Sequence, residues 1–104
     1  MEVSKQDWKL FRERIGAWQE SYMEKLNNEY IELLTGKGAP SEKFWKLEKR
    51  IEKDKSNKGV LIRMNKQDMP FDLVCLIKDG VIGFNDIEDF SSNLQETIKF
   101  LIEK

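Results

Sequence analysis

Three features of the 104-residue sequence predict a mainly α fold, a small helical bundle built on a long N-terminal helix hairpin. Large apolar side chains recur at helical spacing through the first third of the chain. Glycine and proline fall at positions where helices stop and start. Charged residues reach 36% against 39% hydrophobic, a balance that suits helices carrying one apolar stripe each. A chain of this length has room for one core, so residues 1–104 are expected to form a single helical domain.

Ser4, with Asp7 three residues on, predicts a helix N-cap, the acid favouring the positive end of the helix dipole. From there Trp8, Phe11, Ile15, Trp18 and Tyr22 recur in 3-4-3-4 steps. Leu26, Tyr30 and Leu33 or Leu34 extend the stripe. Some 30 residues at 1.5 Å each make a rod of about 45 Å, longer than a compact globule of this size is wide. Gly16, the weak point of the helix interior, predicts a kink or short break near Ile15 to Ala17; the alternative is a projecting end covered by a second copy.

Thr35-Gly36-Lys37-Gly38-Ala39-Pro40 predicts a helix stop, with Ser41 capping a second helix from Glu42 to about Lys55. Phe44, Leu47 and Ile51, with Trp45 beside them, give that helix an apolar face, and the short loop folds it back antiparallel to the first. Val60 to Met64 is expected to be extended, and with Val81 to Phe84 it could form a minimal two-stranded hairpin. A third helix should start between Asn65 and Pro70, capped by Asn65 or Asp68, and bury Leu73, Val74, Leu76 and Ile77. Asp79-Gly80 closes it. Asn85 is expected to cap a last segment carrying Ile87, Phe90, Leu94, Ile98 and Leu101, with Ser91-Ser92-Asn93 marking a kink.

Composition narrows the chemistry. The chain has no histidine, so triads that need an imidazole and Cys/His metal sites are excluded; no catalytic residue, metal or cofactor is expected. The single cysteine, Cys75, allows no internal disulfide. It sits in the apolar run Leu73 to Ile77, which suits a reducing cytoplasm. No secretory leader precedes the first amphipathic segment, and no apolar run approaches the ~20 residues of a membrane span.

Two acidic stretches look like sites and are better explained otherwise. Asp79 to Asp86 resembles the back half of a calcium loop, but placing Gly80 at the invariant glycine puts Cys75 and Ile77 where oxygen ligands belong. Asp86, Glu88 and Asp89 suit a helix first turn better than acid–base catalysis. Gly36-Lys37-Gly38 lacks the spacing of a phosphate loop.

The formal net charge is −1, but residues 41–58 carry +3 and residues 79–104 carry −4. Lys43, Lys46, Arg50 and Lys53 recur at helical spacing on the second helix and are the candidate partner-binding residues, suited to a phosphate backbone or an acidic protein surface. The interleaved Glu42, Glu48, Glu52 and Asp54 also suit an ordinary solvated face. Trp8, Trp18, Trp45, Tyr22 and Tyr30 are more aromatic surface than so small a domain readily buries; core packing is the default, and any indole left outside would suit a partner or a second copy.

The runs Trp8-Lys9-Leu10-Phe11-Arg12-Glu13-Arg14, Trp18 to Met23, Glu29-Tyr30, Phe44 to Ile51 and Asp86 to Ser91 resemble a family of roughly 100-residue uncharacterised proteins of Gram-positive bacteria, often carried on mobile elements. The likeness spans nearly the whole chain. Plasmid and phage proteins of similar size include anti-CRISPR inhibitors of Cas9-type nucleases, so the resemblance implies a protein partner of that kind; it transfers no binding residues. Lack of catalytic chemistry and surplus aromatics lead to the same class, a non-enzymatic protein-binding module. The alternative is a nucleic-acid-binding accessory protein that uses the basic second helix, and a homodimer is compatible with either.

Overall fold

A computed structural model describes residues 2–103 and gives a mainly helical protein. Helix α1 spans Lys5–Thr35, α2 Pro40–Asp54, α3 Met69–Lys78 and α4 Ser92–Glu103, with a 3-10 turn, Phe84–Ile87, before α4. The molecule measures 52 × 27 × 20 Å. Its radius of gyration, 16.4 Å, exceeds the roughly 13 Å of a compact 100-residue domain.

The elongation comes from α1. Ser4 Oγ accepts the Asp7 amide at 3.0 Å, as its spacing predicts, and the helix then runs unbroken for 31 residues. The break expected at Gly16 is absent: Gly16 faces outward and the helix carries its cost without interruption. The C-terminal half of the helix projects instead. All eight positions of the apolar stripe, taking Leu33 for the last, are buried or half-buried, but against two different surroundings.

Around the N-terminal half is the body. Phe11 and Ile15 pack with Met69, Leu73, Val74 and Leu76 of α3, Ile87 and Phe90 before α4, and Leu94 and Ile98 of α4. Trp8 stacks on Phe11, and Trp18 lies edge-on to Phe11 and tilted against Phe90. Asp7 sits in this core at 4% exposure, accepting hydrogen bonds from the Ser91 amide (2.9 Å) and hydroxyl (2.6 Å). Because the Ser91 hydroxyl oxygen also accepts the Leu94 amide, Asp7 ties the start of α1 to the start of α4.

Four local expectations change. Pro40, not Ser41, opens α2: its ring presets the first helical φ and it lacks the amide a cap would satisfy, so Ser41 falls inside the helix. Asn85 lies within the 3-10 turn, where the Asp86 carboxylate accepts the Gly83 amide at 2.8 Å, and Ser91 caps α4 instead. Asp68 stands at the N-cap of α3 without a side-chain cap bond, while Pro70 occupies the first turn as expected. No strand forms at 60–64 or 81–84; Ile62 reaches the core while Leu61 turns outward. Asp79-Gly80 does close α3: Gly80 adopts φ +75°, and the Gly80 and Val81 amides reach back to the Ile77 and Leu76 carbonyls.

The C-terminal half of α1 pairs antiparallel with α2 to form an arm. Arg50 pairs with Glu29, Asp54 with Tyr30, Asn57 with Tyr22 and the Lys58 carbonyl with Gln19. At the joint between arm and body, Gly59 passes so close to Tyr22 and Val81 that a Cβ would lie 2.5 Å and 2.8 Å from their side chains. Only glycine fits there.

Candidate functional site

Helix α2 buries no residue fully. Its contact with α1 is made by the half-buried Lys43, Leu47, Arg50 and Asp54, a 4-3-4 stripe that is mostly polar. The Arg50 guanidinium bonds Glu29 at 2.9 Å, lies 3.6 Å from Asp54 and stacks over the Tyr30 ring at 5.5 Å. The hydrogen bond to Glu29 holds Arg50 above its ordinary value, against the opposing effect of burial. Burial, then the hydrogen bond donated to Asp54, pushes the Tyr30 phenol up to about 12. Tyr22, which accepts from Asn57, is also raised, first by burial and then by the negative charge of Asp54.

The apolar face expected to be buried on α2 points outward. Phe44 is 62% exposed, Trp45 59% and Ile51 40%, and Ile31 and Leu34 on α1 are 57% and 44%. The reason is geometric: the stripe that meets α1 lies about a quarter turn from the stripe of Phe44 and Ile51, and among the described residues the main contact of α2 is with α1. Phe44 and Trp45 brace one another edge to face at 5.0 Å.

Two hollows mark the arm, one on α2 alone and one between the helices. One hollow of about 250 Å³ is lined by Phe44, Leu47, Glu48, Ile51 and Glu52. A second, of about 260 Å³, lies between the helices and includes Met23, Leu26 and Tyr30 of α1, Ile51 of α2, and Val60.

The four basic residues singled out in the sequence do not act as one surface. Arg50 is turned into the α1 contact and Lys43 is half-buried beside it, whereas Lys46 and Lys53 are exposed on the outer side of α2. Trp45, with core packing as its default and exposure as the alternative, lies outside together with Phe44 and Ile51; the signal for their exposure was a first helix too long for the globule that its stripe organises.

Elsewhere the polar groups serve structure. Asp89 pairs with Arg14 at 2.6 Å, and no group of three or more His, Cys, Asp or Glu side chains with metal-binding geometry occurs among the described residues. Asp72 is 2% exposed; its Oδ1 meets Lys58 Nζ at 3.1 Å, and its buried Oδ2 has no hydrogen-bond partner among the described residues. Desolvation raises its carboxyl above the usual range despite Lys58. Cys75 is half-buried, and burial raises its thiol, which disfavours the reactive thiolate. Among the described residues no helix is long and apolar enough to cross a membrane.

These features define the class as a helical protein with one apolar-cored body and a two-helix arm whose apolar face is open. Comparison with protein-family models, curated proteins and solved structures finds no match to the chain.

Proposed function

We propose that the chain is a non-enzymatic protein-binding module that docks through the open face of its arm. One observation carries this: Phe44, Trp45 and Ile51 on α2 and Ile31 and Leu34 on α1, all large and apolar, are exposed on the arm. Patches of large apolar side chains favour partner surfaces, and aromatic anchors supply most of the energy of such contacts. Affinity capture from the native host, run beside a Phe44→Lys, Ile51→Lys chain, tests it. A protein retained by the native chain and lost from the variant is expected; equal retention would place the dock elsewhere.

The resemblance of the sequence supplies a first partner, a Cas9-type nuclease, and with it an anti-CRISPR role. Reduced target cleavage at saturating protein supports that form, and unchanged cleavage with unchanged guide-RNA levels removes it. A second proposal, nucleic-acid contact through α2, draws on the exposed Lys46 and Lys53. It requires salt-sensitive affinity that weakens when both become glutamate.

A further inference from the structure

Resting on the docking role proposed above, we infer that the open face of the arm takes a positively charged amphipathic helix of another protein, its apolar stripe over the hollows and its lysines or arginines against glutamates on either margin.

The exposed charges of the arm are sorted by face. Steps of four and three place Glu20, Glu24, Asn27, Ile31 and Leu34 on one exposed stripe of α1, and Asn27 fixes that stripe on the open side, because it lines the hollow between the helices. On α2 the exposed stripe Ser41, Trp45, Glu48 and Glu52 runs beside Phe44 and Ile51, and both glutamates border the hollow those two line. The open face is therefore apolar along its middle and acidic along both margins. Among the exposed charges of the two helices, only Lys55 brings a cation to that side, at the end of α2. It lies 3.7 Å from Glu52 in a pair too exposed to hold either side chain. The opposite side has the reverse balance: Glu42, Lys46, Lys49 and Lys53 make one exposed stripe of α2, and Lys25 and Glu32 share one on α1.

This sorting selects the occupant. Two helices side by side leave a furrow that a third fills, with anchors about one turn apart entering it. The 15 residues of α2 give a face about 22 Å long, room for about four turns of such a helix. Cations flanking its anchors meet both margins, whereas a phosphate backbone or an acidic helix sets like charge against them. A second copy of this face brings glutamate to glutamate, and an extended strand finds no sheet edge among the described residues.

The probe is a synthetic helix of about 18 residues, leucines at the anchor positions and lysines beside them, titrated into the full chain at low salt. Its mate carries glutamate for every lysine. The lysine peptide should bind at least about tenfold more tightly than the glutamate peptide. Glu48→Lys with Glu52→Lys, both exposed, should weaken the lysine peptide at least about tenfold and tighten the glutamate peptide, a gain that unfolding cannot produce. Glu42→Lys, on the other side of α2, should leave both affinities within about twofold. Equal affinities, a preference that survives the paired substitution, or neither peptide bound at about 1 mM would overturn the inference. Sedimentation of the 12.3 kDa chain at twice its mass, abolished by Phe44→Lys, would overturn it too and give the face to a second copy. The docking role fails separately: equal affinities that both collapse on Phe44→Lys with Ile51→Lys keep the dock and reject its charge preference, while equal capture of a partner by native and substituted chains rejects the dock itself.

Discussion

The two halves of α1 are one continuous helix in opposite situations. Between Lys5 and Trp18 its stripe enters an apolar core with α3 and α4; beyond Tyr22 it meets α2 through an arginine, two acids and a phenol, and only Leu26 there is fully buried. Hydrophobic burial is strong and undirected, whereas partly exposed hydrogen bonds and ion pairs add little net stability but fix geometry. The body therefore supplies the stability, and the arm is a shaped extension held in register by polar contacts.

The largest effects should separate the two. Leu73→Ala or Leu76→Ala, at fully buried positions, should cost about 3–5 kcal/mol in denaturant unfolding. Phe44→Ala, a larger deletion at an exposed position, should stay within about 0.5 kcal/mol in the single chain. Loss of several kcal/mol at Phe44 would mean the face is covered.

Next comes the polar tie inside the body. Asp7→Ala removes both bonds to Ser91 and should cost about 2–3 kcal/mol. In the arm, Arg50→Glu should cost about 1 kcal/mol, because it sets an acid beside Glu29 and Asp54, while Lys46→Glu changes stability by less than about 0.5 kcal/mol. Equal effects would contradict the division of these two cations between structure and solvent. Gly16→Ala should stabilise the chain by up to about 1 kcal/mol, since a Cβ there meets nothing within 4 Å.

The smallest effects concern pH. Tyr30 holds its proton more tightly folded than unfolded, so its contribution is complete below pH 10 and fades as pH rises from 10 to about 12. Tyr30→Phe should flatten the alkaline limb of a stability profile over that interval. Asp72 is likewise raised, so its contribution is complete below its ordinary 3.8 and declines as pH climbs from there through the raised folded value. Asp72→Asn should leave stability at pH 7 equal or higher and remove that acid-side slope.

Local signals carried the fold a long way. The eight-position stripe, the Ser4 cap, the glycine closing α3 and the proline in its first turn are set by neighbours within a few residues, and periodicity reads them directly. Asp7 with Ser91, 84 positions apart, and Arg50 with Glu29, 21 apart, leave no local trace. The open face is the instructive case. Spacing set Phe44 and Ile51 on one side of α2 correctly, but a stripe records which side is apolar, not whether anything covers it. Whether it is covered depends on where α2 comes to rest on α1, and its polar stripe a quarter turn away decided that.

Amide hydrogen exchange, followed on the Phe44→Lys, Ile51→Lys chain so that nothing docked on the arm covers it, tests the division between body and arm most directly. Amides of α3, α4 and the first half of α1 should exchange only through global unfolding, while those of α2 and the far half of α1 exchange orders of magnitude faster through local opening. Equal protection along α1 and α2 would contradict it, because it would show that the arm is held as firmly as the core.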